Sequence, residues 1–458
     1  MIENADLADA LGELNGRQKR YSLYHEYFEG DQRLAFATDP FRSAFGPLFK
    51  EFAYNRCKVV IGAIGDRLQI TGWETDGKQD KTVMPIEAAA LDIWTRNRMT
   101  KRQGELHKAA LRDGDAYLIV WPDTETGLSR FHVNSGSLIQ CVYDDETYRI
   151  MYAVKVWREE RGSNKGKWRV TVYEPDVLTR FISKSNRAER PKKITELVPY
   201  TDDEQPETLN PWGQVPVFHF ANDGDTGANG SSELSDVVPL QDALNKAVLD
   251  MMVTAEYQAY QQRYATGISP EIDPATGQAI APFSNGRDRL WLTDNEAAQF
   301  GAFPPISIEQ FIATQESIDI KISRVTSVPA HWLGLAGSFP SGEALKTAET
   351  PFVSKLIDRQ IAFGDVWSEL MQFALMVDGQ GTDADRITPI WASPESRRDA
   401  EVLQLAALKR SIGVPDEQIW AELGYSPDEI AEFTATADQR QADAAAQFGT
   451  AFNRGATA

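Results

Sequence analysis

Apolar positions near the start of the chain recur every three or four residues. Leu7, Leu11 and Leu14 share one helical face, Gly16 is expected to interrupt it, and Tyr21, Tyr24 and Phe28 continue it. This predicts short helices that dock at a surface. From Pro47 the spacing of Phe52, Val60, Ile64 and Leu68 predicts a longer helix, weakened by Gly62 and Gly65, before Gln69 to Trp73 turns extended. Two more helical patterns cover Ile86 to Trp94 and Lys101 to Arg112. Asp113-Gly114-Asp115 then turns the chain into a strand from Ala116 to Trp121.

Between Phe131 and Val198 the period changes to two. Leu138 to Tyr143, Arg149 to Trp157 and Trp168 to Tyr173 read as strands separated by Gly, Asp or Asn, so this half is α+β. Thr201 to Gln214 is acidic and carries proline, Val215 to Phe220 is a short apolar strand, and Asn222 to Gly230 is a Gly/Asp loop; a domain boundary is expected there. A helix follows from about Ser235 to Tyr264, with Leu240, Leu244, Val248, Met251, Ala255 and Ala259 in phase and Pro239 in its first turn.

Gly267 to Pro305 is rich in proline and glycine around a strand-like Arg289 to Leu292, which predicts a small excursion bounded by helices. The second bounding helix runs from Ser307 to Ser327. A third, from Ser341 to Val377, aligns Leu345, Ala348, Phe352, Leu356, Phe363, Trp367, Leu370 and Phe373, with a kink or break expected at Pro351. Near the C-terminal end, Gly413 and Pro415 stop one helix, Ser426 to Glu429 reads as a capping box, and the Ala/Gln/Asp tail from Thr434 is expected to be frayed or disordered.

The formal charge is −20 in 458 residues. That argues against a protein gripping nucleic acid along its surface, because phosphate binding needs clustered Lys and Arg, but not against one that lets DNA slide past. No run reaches the roughly 18 apolar residues of a membrane helix, and the acidic, amphipathic N-terminus does not read as a signal peptide, so a cytosolic product is expected. Cys57 and Cys141 stand far apart and read as buried structural thiols.

Catalytic signatures are missing. His25, His107, His132, His219 and His331 are scattered and read as structural or solvent-facing. Gly162 to Lys167 only mimics a phosphate loop, since it lies between strands; no G-x-S-x-G elbow occurs, and Ser341-Gly342 reads as a helix start. Asp223, Asp225 and Asn229 lack the spacing of a calcium loop and read as a solvated turn, and Asn229-Gly230-Ser231 has no secretory context.

Several ordered strings resemble the tailed-bacteriophage portal protein family of siphophage type over nearly the whole chain. They are Tyr27-Phe28-Glu29-Gly30, Asn55-Arg56 opening the helix to Arg67-Leu68, Asp113-Gly114-Asp115-Ala116-Tyr117, Val215-Pro216-Val217, Pro239 to Lys246, and Pro340-Ser341-Gly342-Glu343-Ala344-Leu345. The resemblance implies an α+β ring subunit with an α+β wing (1–230), stem helices within 231–266 and 306–328, and a small α/β clip (267–305). It further implies a tunnel loop (329–340), a long helix returning to the wing (341–392), and crown helices with a tail (393–458). Pro351 departs from the family pattern.

By the same resemblance the chain is no enzyme and has no cofactor or metal. It is a homo-oligomer, usually a dodecamer, at a capsid vertex of the virion, made in the host bacterial cytoplasm. Its implied partners are the terminase large subunit, head-completion or adaptor proteins, major capsid and scaffolding proteins, and double-stranded DNA passing without sequence specificity, with no membrane. Trp332, Gly337, Ser338, Phe339, Pro340 and Ser341 are the expected tunnel-loop contacts with DNA, and Arg287, Asp288, Arg289 and Trp291 the clip residues that dock terminase or adaptor.

On the second stem helix Glu309, Glu316 and Ser323 recur at sevens, away from most of the apolar Ile308, Phe311, Ile318, Ile322 and Val325, and form a polar stripe suited to a channel wall. Lys321 and Arg324 would touch passing phosphates or pair with acids of a neighbouring subunit. Two other readings stand beside this one: another virion adaptor, and a carboxylate-dependent hydrolase for which no acid pair is singled out.

Overall fold

The computed structural model describes residues 3–436 except 41, 44–53, 76–83, 203–204, 260–262, 269–270, 273, 281–292, 294–295, 305, 336–341, 382–385, 396–398, 424, 426–429 and 431–432. It is a mixed α and β structure with two compact units, Met1–Pro394 and Glu395–Ala458.

Helix α1 (Asn4–Glu29) runs unbroken through Gly16, contrary to the expected interruption. The glycine faces open space, and the helix is held on both sides of it by burial of Leu7, Leu11, Leu14, Tyr21, Tyr24 and Tyr27, which outweighs a cost of about 1 kcal/mol. Tyr27, not Phe28, completes the buried stripe. The next helix, α2 (Arg56–Gly65), begins at Asn55, whose side chain accepts the Lys58 amide; the expected start at Pro47 and the contribution of Phe52 lie outside the described residues.

Strand β1 (Ile70–Thr75) leads through α3 (Met84–Arg96) and α4 (Met99–Asp113) to β2 (Asp115–Pro122). Gly114 ends α4 at φ +92°, where a side chain would be strained. β2 is buried on both faces from Asp115 to Val120, and this explains its nearly continuous apolar sequence. It is the middle strand of a three-stranded sheet, between β3 (Ser129–Ser135) and β10 (Val217–Ala221), so the strand expected at a domain boundary pairs inside the first unit.

A six-stranded antiparallel sheet follows: β4 (Ile139–Tyr143), β5 (Ile150–Arg158), β6 (Trp168–Tyr173), β7 (Val177–Ser183) and β8 (Leu197–Pro199) in order, with β9 (Glu207–Leu209) also on β7. Val154, Val156, Val170 and Val172 pack under Leu7, Ala10, Leu11 and Leu14 of α1. The Gly162–Lys167 segment is the β5–β6 turn, closed by the Glu159 amide donating to the Lys167 carbonyl.

Helix α5 (Val237–Ala259) is shorter than expected. Tyr264 belongs to β11 (Arg263–Thr266), which pairs with β14 (Gln299–Ala302) and so closes the base of the intervening excursion, where β12 (Glu271–Ile272) pairs with β13 (Ala279–Ile280). The strand expected at Arg289 to Leu292 lies outside the described residues.

Helix α6 (Glu309–Thr326) packs along α5, and α7 (Gly342–Val377) then runs 36 residues through Pro351 as one helix, not two. The missing amide costs one bond, but Phe352, Leu356, Phe363, Trp367, Leu370 and Phe373, all following the proline, are buried and anchor the helix beyond it. Strand β15 (Ile387–Trp391) pairs with β1. In the second unit α8 (Asp399–Ser411) stops at Gly413, and Pro415 precedes α9 (Asp416–Glu422), as expected; the capping box at Ser426 to Glu429 lies outside the described residues.

The main core centres on Trp367, whose ring meets Trp94 at 5.1 Å and Phe220 at 5.0 Å. His107 sits inside this cluster, fully buried and stacked on Phe363. Its Nδ1 bonds the Leu68 carbonyl at 2.9 Å and its Nε2 accepts the Trp367 indole N–H at 2.9 Å, which fixes a neutral tautomer. Burial pushes the imidazole down to about 4, the Leu68 carbonyl opposing it. The unfolded chain takes up this proton near pH 6.5, so the contribution is full above that pH and fades as the pH falls toward 4, a loss of about 3 kcal/mol. Urea unfolding of wild type is expected to show that extra loss between pH 7 and 4 relative to His107→Gln, and parallel pH profiles would contradict it.

Candidate functional site

The helices that bound the excursion are fixed to the body by one arginine. Arg56 lies in the first turn of α2, with little exposure, and its guanidinium grips Asp319 of α6 through two bonds, Nε to Oδ1 at 2.8 Å and Nη2 to Oδ2 at 2.7 Å. The same Nη2 donates to the Leu333 carbonyl at 2.6 Å and to the Tyr54 hydroxyl, and the guanidinium lies 4.0 Å from the Tyr54 ring centre. Its backbone amide donates to Gln241 of α5, which bonds Asn245, which in turn donates to Gln32. One residue therefore sets the positions of α2, α5, α6 and the 3₁₀ turn Ala330–Leu333.

A second cluster seats α7. Glu233, just before α5, accepts from Lys355 and Arg359, and Lys355 also donates to the Thr326 carbonyl at the end of α6. Arg359 reaches Asp223 at 3.1 Å, so this aspartate of the Gly/Asp loop is an ion-pair partner.

The third cluster surrounds Asp115 at the start of β2. Its carboxylate accepts from Tyr21 at 2.6 Å, from the Gly230 amide at 2.7 Å and from His219 Nε2 at 2.9 Å, with Arg17 at 3.4 Å. Burial would raise this carboxyl, but the bonds from His219, Tyr21 and Gly230 outweigh it and hold it below the ordinary carboxylate range. Gly230 is required there, because a Cβ would lie 2.1 Å from the Gly114 oxygen.

Glu309, Glu316, Lys321 and Arg324 are exposed on α6. Ser323 is half-buried and donates its hydroxyl to the Val328 carbonyl at 2.7 Å. Trp332 is half-buried, its ring 5.0 Å from Phe352 and capped by Arg67 at 4.2 Å, so it is held against the body. Gly337, Ser338, Phe339, Pro340 and Ser341 lie outside the described residues, as do Arg287, Asp288, Arg289 and Trp291. The structure thus brings together the α6 residues but adds Arg56, Asp319 and Glu233, which the sequence reading missed. Asp319 left a trace: it is an acid between Ile318 and Ile322, in phase with the buried face.

No group of three or more metal-ligating side chains forms among the described residues. Burial pushes the Cys57 thiol up to about 12 and the Cys141 thiol higher, so both are inert structural thiols. Among the described residues no helix is long and apolar enough to cross a membrane.

Buried charge thus fixes two packed helices and a long third one to the first unit. The chain belongs to the phage portal proteins: residues 70–444 match the family described as phage portal protein, SPP1 Gp6-like.

Portal proteins of Mycobacterium phage D29 and Mycobacterium phage L5 are 27% and 26% identical to it over 250 residues, 52% of this chain and 51% of each relative. The chain thus spans about half the length of the curated relatives it matches. Among solved structures, a chain of the neck of an empty GTA (gene transfer agent) particle computed with C6 symmetry is similar at TM-score 0.45 and 13% identity, over 85% of this chain and 95% of that one. One from the native particle's neck computed with C12 symmetry gives 0.41 and 14%, over 84% and 92%.

Arg56→Leu leaves Asp319 buried without its partner and is expected to destabilise the first unit by about 3–5 kcal/mol. Arg56→Leu combined with Asp319→Leu should recover most of that loss, which denaturant unfolding measures; additive losses would contradict the clamp.

Proposed function

We propose that the chain is the subunit of a closed homo-oligomeric ring, twelve-membered as the family resemblance implies, seated at one capsid vertex of a virion. Its channel passes double-stranded DNA during packaging and ejection, and its rim docks the terminase large subunit and then head-completion proteins. The subunit is structural and catalyses no reaction; the motor is another protein. It is made in the host bacterial cytoplasm and assembles with major capsid and scaffolding proteins.

The observation that carries this reading is the portal-family match across residues 70–444, into which α5, the strand-closed excursion and α6 fall in order. In this reading residues 1–230 form the wing, α5 and α6 the stem, the excursion between them the clip, 329–340 the tunnel loop, α7 the helix returning to the wing, and 393–458 the crown and tail. Trp332 anchors the near end of the tunnel loop, and Gly337, Ser338, Phe339, Pro340 and Ser341 are its further contacts with DNA. Arg287, Asp288, Arg289 and Trp291 are the clip contacts for the motor and adaptor.

The stripe Glu309, Glu316 and Ser323 suits a channel wall. Repeated around an axis, two exposed carboxylates per subunit repel a polyanion over roughly 8 Å at physiological salt, so DNA slides without adhering.

Light scattering and negative-stain images of the purified full chain test the proposal together. Particles of about a dozen subunits with a central hole are the expected result, whereas monomers or dimers alone, under capsid-assembly conditions as well, would overturn it.

A further inference from the structure

Two solvent-facing helix surfaces of the first unit carry opposite charge and an apolar centre each. On α6 the buried positions are Ile318, Asp319, Ile322 and Thr326, and opposite them Ile320, Lys321 and Arg324 face outward, flanked by Val325. Ile320 is 39% and Val325 48% exposed. Neither Lys321 nor Arg324 forms an ion pair among the described residues. On α7 the buried positions are Phe352, Leu356, Phe363 and Trp367, and opposite them lie Ile357, Asp358, Ile361 and Asp365. Ile361 is 62% exposed. Asp358 touches Arg359 at 2.7 Å yet keeps 70% of its side chain in solvent.

We infer that the Ile320/Lys321/Arg324 face of α6 docks on the Ile357/Asp358/Ile361/Asp365 face of α7 in a second copy of this chain. The inference rests on the ring reading above and gives it a subunit contact. A cyclic ring needs two different, complementary patches on each subunit, and these two are complementary in both charge and apolar content. A chain of net charge −20 repels its own copies, so a cationic patch offered to an acidic one is a strong steering element between them. The contact leaves the Glu309/Glu316 flank of α6 free for the channel.

The test is charge reversal in the full chain, read by light scattering, with circular dichroism melts to show that each variant folds. Lys321→Glu with Arg324→Glu, and separately Asp358→Lys with Asp365→Lys, are each expected to cut the assembled fraction about tenfold or more at fixed concentration. All four changes in one chain restore opposite charges across every contact and should restore assembly. Rings that persist in both reversed variants, or a folded quadruple variant that stays as dissociated as its parents, would overturn the contact while leaving the ring reading intact. Failure of the wild type to form rings at all would sink both.

Discussion

A guanidinium taken out of water must be given a full set of acceptors by the protein, and that requirement at Arg56 organises much of the first unit. Its partners come from four places in the chain: Asp319 on α6, the Leu333 carbonyl beyond it, Tyr54 beside it, and Gln241 on α5 through the backbone amide. Satisfying all of them fixes not only where α6 lies but how it is rotated about its axis. The outward set of Glu309, Glu316, Lys321 and Arg324 follows from that rotation. Glu233 does the same for α7, tying Lys355 and Arg359 to the entry of α5, so three helices are phased by buried charge in addition to apolar packing.

Asp115 joins the two cores in a similar way. The first half of α1 covers the six-stranded sheet and the second half enters the tryptophan-centred core; Arg17 and Tyr21, between them, meet Asp115 where β2 begins. His219 and the Gly230 amide complete the shell from β10 and the loop after it. An apolar interface alone would tolerate sliding of α1 along the sheet, whereas a carboxylate with this shell accepts one register.

Strand and helix identity was legible wherever periodicity was strong. Ala116 to Trp121 was readable as a short apolar run after the Asp113-Gly114-Asp115 turn, and Trp168 to Tyr173 and the Leu345 to Phe373 stripe from their two- or near-four-residue periods. Gly16 misled because a local cost of about 1 kcal/mol yields to buried side chains on both sides of it, and the break expected at Pro351 is absent from a helix anchored by the buried run from Phe352 to Phe373. Tyr264 was assigned to a helix because its strand partners, near Gly301, are remote in sequence. The buried ion pairs were unreadable for the same cause, Arg56 and Asp319 being 263 residues apart. The family resemblance was legible from short ordered strings, whereas the residues expected from it to dock partners (Arg287, Asp288, Arg289, Trp291) or touch DNA (Gly337 to Ser341) lie outside the described residues.

If α6 is phased by buried charge, its outer face is a rigid wall, as a channel and a subunit contact both require. Native-state hydrogen exchange across Glu309–Thr326, in wild type and in Arg56→Leu, measures this most directly. In wild type the amides from Ile318 to Thr326 are expected to exchange only with unfolding of the whole first unit, together with those of β2. In Arg56→Leu they should open by a separate, easier route while β2 remains protected. Equal protection of α6 in the two proteins would show that apolar packing alone holds the helix and would contradict the role given to the Arg56–Asp319 pair.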